Sequence, residues 1–539
     1  MVRQFHVGAA LLFALVALVA LAWPPVLWSY VLLVPLYALG VRDTLQTRRA
    51  VLRNFPLLGH FRYLLEAIRP EINQYFIESD TDGAPINREL RSIVYQRAKH
   101  ELASLPFGTQ HDVYAPGYEW LNHSLAARRP PKTPPRITIG GPDCTQPYDA
   151  SLLNISAMSY GALSSAAVRA LNGGARIGGF FHNTGEGGLS THHAEPGGDI
   201  CWQIGTGYFG CRDAQGKFDG ELFRQRAALP QVKLIEIKLS QGAKPGHGGV
   251  LPAAKITDEI AAIRNVVKGQ DVLSPPTHSA FDTPSGLMLF VQKLRDLSGG
   301  KPVGFKLCVG HPAEIVALCQ AMVATGITPD FVTVDGGEGG TGAAPLEFSN
   351  SVGTPLTEGL VTVHNALVGF GLRERVKVIA SGKVVTGFHM AQRFALGADL
   401  VNSARGFMLS LGCIQARRCH SNHCPVGVAT QNPDLVRGLV VSDKQQRVAN
   451  FQHETVHAFL ELCGAAGLDH PDQLRPHHIQ RRVSHTEVAT YADVYEYLAP
   501  GELLKAGARG NWSKWCDLAT PDSFELRSHE AWKSTARAA

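Results

Sequence analysis

Several common functional signatures are missing from this sequence, and each absence removes a class of activity. It contains no G-x-x-x-x-G-K-[ST] phosphate loop, no G-x-S-x-G nucleophile elbow and no H-E-x-x-H pair. Phosphoryl transfer, acyl transfer and zinc-protease chemistry therefore lack support. Charged residues make up only 18% of the chain, and its Lys and Arg residues form no long run. No nucleic-acid partner is expected, because proteins that bind nucleic acid gather their cations on one surface.

Cysteine is sparse, and most of it is scattered. Ten cysteines occur among 539 residues, and only three cluster, in the order Cys413-x5-Cys419-x4-Cys424. A disulfide framework is not expected in a chain long enough to bury a large core, so a reducing compartment is indicated. Thiolates this close together predict an iron–sulfur site on one loop. The pattern alone leaves two alternatives open, a zinc site completed by His420 or His423 and inert thiols.

Two uncharged apolar runs lie near the beginning of the sequence. They cover residues 7–23 and 26–41 and are separated by Pro24-Pro25. Each run is close to the roughly 17-residue lower limit for a membrane-spanning helix. The positive-inside rule predicts a hairpin anchor in the cytoplasmic membrane, with the catalytic part in the cytoplasm. A single span or a buried apolar arm is the alternative. The flanking positive charges are Arg3, Arg42, Arg48, Arg49 and Arg53.

The rest of the chain divides by composition into three parts. Residues 46–135 alternate apolar and charged positions at helical spacing and end in the proline-rich stretch 128–135. This pattern predicts a helical adaptor followed by a stiff linker. Residues 136–470 repeat the order of apolar strand, glycine-rich loop and helix, and residues 471–539 are predicted to form a helical extension. The anchor at residues 1–45 completes an organisation of four domains.

The repeating part predicts a (β/α)8 barrel of the TIM type, in the α/β class. Eight short apolar segments mostly alternate with helical patterns, as expected for parallel strands joined by crossover helices. A doubly wound open sheet is the alternative. The candidate strands are residues 152–158, 179–183, 202–205, 234–239, 303–308, 331–335, 376–380 and 400–402. The candidate helices are residues 164–177, 257–267, 284–297, 312–325, 357–369 and 387–396.

Glycine-rich loops follow several of these strands. Residues 205–210 and 337–342 match G-x-G-x-x-G, but neither is followed at once by a helix, as a dinucleotide fingerprint requires. The loops after the last two strands instead match the place where barrels bind phosphate. Gly382 would allow close backbone approach, and Lys383 and Arg405 would add positive charge. Ordinary turns between strand and helix are the alternative.

Three charged residues lie in or beside other loops of the barrel. Glu186 follows the second candidate strand, Lys244 follows the fourth, and Arg264 lies on the next helix. A carboxylate, an ammonium and a guanidinium together are able to bind a dicarboxylate and to manage a proton. A surface ion pair with an arginine on a helix face is the alternative.

Several segments together resemble the FMN-binding synthase domain of glutamate synthases. The most specific is the thiol motif that ends in Cys-Pro-Val-Gly-Val-Ala-Thr-Gln at residues 424–431. The resemblance covers about residues 140–470 in the order that the family has. The matching segments are residues 156–164, 241–249, 274–276, 335–345 and 413–431.

The resemblance implies cofactors, a reaction and a set of site residues. It implies a [3Fe-4S] cluster on Cys413, Cys419 and Cys424 that passes electrons to FMN at the barrel mouth, where 2-iminoglutarate, formed from 2-oxoglutarate and ammonia, is reduced. In the family pattern Arg264 pairs a substrate carboxylate, Lys244 polarises the carbonyl or imine, and Glu186 handles a proton or orients the imine. The residues implied near FMN are Met158, Ser159, Gln203, Lys306, Gly336, Gly337, Gly382, Lys383, Ser403 and Arg405.

The sequence departs from the family pattern at positions that bear on the substrate. The family usually reads Q-G-A-K-P-G-E-G-G-Q-L-P, whereas this chain has His247 in place of the glutamate and Val250 in place of the second glutamine. Loss of that glutamine would leave a polar group of the substrate without its partner, at a cost of roughly 1–3 kcal/mol. The phosphate loop reads Ser381-Gly382-Lys383 where the family commonly has Asp-Gly-Gly.

The sequence thus predicts an FMN and iron–sulfur oxidoreductase acting on CH–NH2 chemistry. Its substrate would be a 2-imino acid derived from 2-oxoglutarate and ammonia or an amine. Its electrons would come from an external donor such as a ferredoxin or a membrane redox protein. The competing hypothesis is a membrane-associated electron-transfer flavoprotein without a substrate of its own.

Overall fold

The chain folds as two units, Met1–Arg88 and Glu89–Ala539. The computed structural model describes residues 1–101, 104–505, 507 and 509–527. The domain boundaries expected after residues 45, 135 and 470 remain predictions.

The first unit begins with two apolar helical segments. Val2–Ala20 and Pro24–Leu45 are each long and apolar enough to cross a membrane, with mean hydropathies of 1.8 and 1.6. Only 6% of each apolar window is buried, as expected for a surface that another apolar phase covers. The second segment consists of the 3-10 turn Pro24–Ser29 and the α-helix Tyr30–Leu45, and the unit continues with the helices Ala50–Asn54 and Gly59–Ile72 and the π-helical turn Asn73–Ile77.

The second unit contains a closed barrel of eight parallel strands. The barrel prediction is therefore confirmed, and the open-sheet alternative is excluded. Neighbours around the barrel are neighbours in sequence, with β8 pairing β1 to close the ring. The strands are β1 (Leu153–Ile155), β2 (His182–Asn183), β3 (Ile200–Ile204), β4 (Val232–Lys238), β5 (Val303–Leu307), β6 (Phe331–Asp335), β7 (Lys377–Ser381) and β8 (Leu400–Ser403).

All six predicted helices occur within three residues of their expected bounds. Ser164, Thr257, Thr283 and Thr386 each cap a helix by accepting a hydrogen bond from a backbone N–H of its first turn. These six helices are Ser165–Gly178, Asp258–Arg264, Pro284–Leu297, Pro312–Thr325, Leu356–Gly369 and Gly387–Ala395. The unit's other helices up to residue 465 are Arg88–Lys99, Thr191–Ala194, Gly220–Ala227, Ala253–Lys255 (3-10), Leu346–Ser351, Arg405–Ser410, Pro433–Val436 and Val441–Ala465.

Val441–Ala465, with 25 residues, is the longest helix of the described chain, and the sequence analysis missed it. It packs along Ser165–Gly178. Gly174 makes this approach possible, because a Cβ at that position would collide with the side chain of Val448. The last apolar positions of Val441–Ala465, such as Phe459, are buried against the barrel's helical layer.

Several short elements lie outside the barrel. Glu119–Leu121, Ile479–Arg482 and Val488–Thr490 form a three-stranded antiparallel sheet, and Val250–Leu251 pairs with Val272–Leu273. The described part of the predicted C-terminal extension thus contains strands as well as helices. Its helical elements are Pro471–Gln473, Pro476–His478 and Glu502–Leu504 (all 3-10), Tyr491–Val494 and Gly510–Leu518.

A β-hairpin closes the amino-terminal end of the barrel. Its strands, Ile137–Ile139 and Tyr148–Ala150, pair antiparallel just before β1. Ile139, Tyr148 and Ala150 form one buried apolar cluster with barrel residues that include Leu234 and Phe331. The hairpin is therefore the floor of the barrel, and the opposite end is the mouth.

A buried ion pair fixes this floor. Arg295 and Asp330 lie 3.0 Å apart, with side chains only 2% and 1% exposed. The Asp330 carboxylate also accepts hydrogen bonds from the backbone N–H groups of Gly141, at 2.7 Å, and Val303, at 2.8 Å. One carboxylate thus joins the floor hairpin, a barrel helix and β5.

Replacing this carboxylate should destabilise the second unit strongly. In Asp330→Ala the Arg295 guanidinium stays buried without its charge partner, a change that typically costs about 3–5 kcal/mol. We expect a lower urea midpoint for the detergent-solubilised protein, followed by tryptophan fluorescence. Asp143→Ala, which breaks the exposed pair with Arg375, is the matched control and should cost about 1 kcal/mol or less. Equal effects of the two substitutions would contradict the role assigned to Asp330.

Candidate active site

An open cleft lies at the mouth of the barrel. This end carries the active site in (β/α)8 enzymes. Every strand except β2 contributes to the lining, either directly or through the loop that follows it. The lining residues are Ser156, Ala157, Gln203, Lys238, Gln241, Lys306, Asp335, Gly339, Gly340, Ser381, Gly382, Lys383, Ser403, Ala404, Arg405 and Gly406.

Six of the ten residues predicted to lie near a cofactor line this cleft, namely Gln203, Lys306, Gly382, Lys383, Ser403 and Arg405. The other four lie around it. Gly336 and Gly337 support the lining from behind, donating backbone hydrogen bonds to the carbonyls of Ser381, at 2.9 Å, and Thr354, at 2.8 Å. Met158 is buried. Ser159 lies beside Arg264, since a Cβ on Gly187 would meet both side chains within 2.8 Å.

A buried carboxylate organises the base of the cleft. Glu236 on β4 is fully buried and accepts hydrogen bonds from Asn183 (2.7 Å), Gln203 (2.6 Å) and Thr333 (2.6 Å). Lys306 on β5 pairs with Asp335 at 3.2 Å. Burial lowers the pKa of Lys306, but Asp335 and Glu236 outweigh that effect and raise it. Lys306 therefore stays cationic beside the cleft.

Two cations crowd the side of the cleft formed by the loops after β7 and β8. Gly382 has φ of +146° and Lys383 has φ of +47°, so this turn occupies backbone conformations that side chains rarely adopt. Burial and the charge of Arg405 both lower the pKa of Lys383, and burial lowers the pKa of Arg405. A bound anion would relieve this repulsion.

A cluster of four charged side chains lies next to the cleft. Lys238, at the end of β4, pairs with Glu186 at 2.8 Å. Lys244 donates from Nζ to the carbonyl of Ala343 at 2.9 Å, and Arg264 donates to the carbonyl of Tyr160 at 3.2 Å. The Arg264 guanidinium also lies over the ring of Phe209, 5.1 Å from its centroid. The structure thus brings the three predicted catalytic residues into one electrostatic cluster.

Burial and mutual charge set the ionisation of this cluster. Burial raises the pKa of Glu186, but Lys238, Arg264 and Lys244 outweigh it and keep the pKa below its usual value. Burial lowers the pKa of Lys244 to about 8, although Glu186 opposes the shift. Burial likewise lowers the pKa of Arg264 to about 10. At neutral pH the cluster holds three cations and one carboxylate, an excess that favours an anionic ligand.

Glycines allow the backbone to close around Glu186. A Cβ on Gly205 would lie 2.6 Å from the Glu186 Cβ, and one on Gly249 would collide with the Glu186 carboxylate. Real Cβ atoms do not approach this closely, so a side chain at either position must displace Glu186. The first G-x-G-x-x-G match, which begins at Gly205, therefore serves close packing at the site.

Lys238 is the main residue that the sequence analysis missed. It lies at the end of the segment Val-Lys-Leu-Ile-Glu-Ile-Lys, which was interpreted only as a buried strand. The available signal was its position, because a charged residue at the carboxyl end of a barrel strand indicates function more often than packing. Glu236 carried a similar signal two residues earlier, on the same face of the strand.

The three clustered thiols lie on the loop after helix Arg405–Ser410. Burial, together with the charges of Cys419 and Cys424, raises the pKa of Cys413 to about 12. The buried Lys255 donates to the carbonyls of Ala162, at 3.1 Å, and Ala429, at 3.0 Å, and its charge opposes the raised pKa of Cys419. Among the described residues, no three Cys, His, Asp or Glu side chains are arranged to hold a metal ion. The iron–sulfur site therefore remains a prediction.

The two residues that depart from the family pattern take different places. His247 packs edge-on against Phe348, with ring centroids 5.3 Å apart, and its Nδ1 lies 2.8 Å from the carbonyl oxygen of Gly248. Val250 begins the short strand Val250–Leu251 and is partly buried. His247, in the loop that carries Lys244, thus makes an aromatic contact, and Val250 places an apolar side chain just after that loop.

Comparison with known proteins identifies relatives of this chain. A family model described as "Conserved region in glutamate synthase" matches residues 145–469. The glutamate synthase large subunit-like protein YerD of Bacillus subtilis (strain 168) is 39% identical over 482 residues, which cover 82% of this chain and 91% of the relative. The archaeal glutamate synthase [NADPH] of Methanocaldococcus jannaschii is 37% identical over 322 residues, 60% of each chain. An archaeal-type glutamate synthase [NADPH] of Thermotoga neapolitana is 32% identical, covering 59% of this chain and 60% of the relative.

A side chain at Gly205 should destabilise the site. In Gly205→Ala the new Cβ would press on the base of the Glu186 side chain, and overpacking of this kind costs about 1–3 kcal/mol. We expect a lower urea midpoint than for the unaltered protein. Gly342→Ala is the matched control, because a Cβ there meets no atom within 4 Å. A midpoint for Gly205→Ala equal to that of the control would contradict the packing described around Glu186.

Proposed function

Because the chain belongs to the glutamate synthase family, we propose that it is a flavin-dependent oxidoreductase that reduces a 2-imino acid to an amino acid. The imino acid would form from a 2-oxo acid, such as 2-oxoglutarate, and ammonia or an amine. One observation carries the proposal: Lys238 lines the cleft and also binds Glu186, so the cleft and the charged cluster form one site.

The charge of the cleft suits FMN. Gly382 would let the backbone approach the phosphate, and Lys383 and Arg405 would balance its negative charge. Lys306, held cationic by Asp335 and Glu236, would face the ring system with Gln203. FMN, when bound, would supply the hydride that reduces the substrate.

The charged cluster suits an acidic substrate that needs a proton. Arg264 would pair a carboxylate, since its Nε is buried without a hydrogen-bond partner and an arginine can bind a carboxylate through two nitrogens. Lys244, with a pKa of about 8, would be protonated at neutral pH yet able to give up a proton to the imine or carbonyl. Glu186, anchored by Lys238, would orient Lys244 and the substrate nitrogen.

A [3Fe-4S] cluster on Cys413, Cys419 and Cys424 is supported by the family pattern of these three thiols, although the described structure does not arrange them to hold a metal ion. They lie on one loop close enough for their charges to interact, and Lys255 adds a positive charge beside them. The cluster would relay single electrons to the flavin. Electrons would reach it from an external donor, a ferredoxin or a membrane redox protein.

The amino-terminal helices support attachment to the cytoplasmic membrane. Val2–Ala20 and Pro24–Leu45 would form the predicted hairpin anchor, with the arginines on either side keeping both ends in the cytoplasm. The catalytic unit would then work in the cytoplasm.

An anaerobic reduction experiment tests this function. The detergent-solubilised protein would be titrated with dithionite, followed by absorbance and EPR, and then mixed with 2-oxoglutarate and ammonia. We expect the absorbance spectrum of a flavin and the EPR signal of a [3Fe-4S] cluster. Adding the substrates should reoxidise the flavin and form glutamate. Arg264→Met should keep both chromophores and lose reoxidation, whereas Lys268→Met, in an exposed pair, should behave as the unaltered protein. Chromophores without reoxidation by any 2-imino acid would favour an electron-transfer module, and their absence after reconstitution would reject the proposal.

The pH dependence of turnover should report Lys244. Because its pKa is lowered to about 8, the lysine is protonated below that pH and loses its charge above it. We expect kcat/KM to fall as the pH rises through about 8. Lys244→Arg should lower kcat/KM, because arginine does not give up a proton at these pH values. The activity that remains should lack the alkaline limb, because arginine keeps its charge throughout the range. An alkaline limb unchanged in Lys244→Arg would show that another group titrates.

A further inference from the structure

The helix Gly59–Ile72 presents an exposed apolar face. Phe61 is 65% exposed, Leu64 55% and Leu65 57%. Leu58 and Ile68 are exposed as well, and Phe76, in the π-helical turn that follows, is 84% exposed. Soluble proteins rarely leave so large a contiguous apolar surface in water, so this face has an occupant.

The sequence of this helix gives the face a definite shape. At 3.6 residues per turn, Leu58, Phe61, Leu64, Leu65, Ile68 and Ile72 fall within an arc of about 120°. Arg62 and Arg69 lie just beyond one edge of the arc, and Arg62 pairs there with Glu66 at 3.0 Å. Ala67, also exposed, lies outside the arc, about 120° around the helix from its centre. This is the pattern of a helix that lies in the plane of a membrane surface.

Contacts of Asp43 hold the start of this helix close to the end of the apolar hairpin. Asp43, in the last turn of Tyr30–Leu45, is 3% exposed. Its carboxylate accepts from the backbone N–H of Leu57, at 3.0 Å, and pairs with His60 Nε2 at 2.9 Å. The start of the amphipathic helix is therefore held against the end of the second apolar segment, which is where a membrane surface would lie.

The charge of the segment around this helix indicates which kind of lipid surface it would contact. Between residues 42 and 72 the chain has six arginines against Asp43, Glu66 and Glu71, and Asp43 is occupied by the contacts described above. A cationic segment beside an apolar face is attracted to anionic lipid headgroups. The six arginines are Arg42, Arg48, Arg49, Arg53, Arg62 and Arg69.

We propose that Gly59–Ile72 is a second membrane contact, an interfacial helix that lies on an anionic lipid surface with Phe61, Leu65 and their neighbours among the acyl chains. This inference rests on the proposed membrane attachment of the hairpin. The interfacial helix adds apolar and electrostatic binding beyond the spanning segments. It also orients the first unit at the membrane surface, since its apolar face must point toward the lipid.

Photo-crosslinking in the full chain tests this inference. The photoreactive residue p-benzoylphenylalanine would replace Phe61 in one variant, Ala67 in a second as the matched control, and Leu12 in a third as reporter of the hairpin. Each protein would be reconstituted in phosphatidylcholine vesicles, with and without phosphatidylglycerol, irradiated and analysed by mass spectrometry. We expect at least about fivefold more lipid adduct at position 61 than at 67, increased by the anionic lipid.

The other outcomes separate this inference from the hairpin anchor. Lipid adducts at position 12 but not at 61 would overturn the interfacial helix and leave the anchor intact. A crosslinked dimer at position 61 would assign the face to a second copy of the chain. Equal adducts at 61 and 67 would overturn the orientation. The variant Arg62→Gln/Arg69→Gln should lose the stimulation by anionic lipid, and unchanged stimulation would overturn the electrostatic part.

Discussion

The buried carboxylate of Glu236 is the constraint around which the barrel interior is built. A carboxylate without water is stable only if its oxygens are hydrogen-bonded and its charge is balanced. Asn183, Gln203 and Thr333 provide the hydrogen bonds from three other strands, and Lys306 provides the charge. Along the inward face of β4 the residues change from Leu234 in the floor cluster, through Glu236, to Lys238 in the cleft. One strand thus carries the change from apolar packing to an ionic site.

The sequence predicted the barrel because its strands are apolar runs and its helices have clear caps, both of which are local features. It also predicted which loops would meet, since the carboxyl ends of parallel strands meet at one end of a closed barrel. It could not show that Lys238 pairs with Glu186, because that contact joins the end of β4 to the loop after β2. It missed Val441–Ala465 although the signal was local. The buried residues Val448, Phe451, Thr455, Phe459 and Cys463 of that helix recur at helical spacing.

The site holds its charges at the expense of local stability. Three cations surround one carboxylate beside the cleft, and Lys383 and Arg405 repel each other on one side of the cleft. The protein tolerates this arrangement because the floor, with the Arg295–Asp330 pair and the apolar cluster around Ile139, is tightly packed. Stability is therefore concentrated at one end of the barrel, while the chemistry of the charged residues is placed at the other.

The floor hairpin determines how small molecules enter and leave the barrel. Since Ile137–Ile139 and Tyr148–Ala150 close one end of the barrel, its interior is reached from the mouth at the other end. Any small molecule that reacts there must arrive and depart by the same route, and the two passages cannot overlap in time. A molecule that has reacted and not yet left competes directly with the next one waiting to enter.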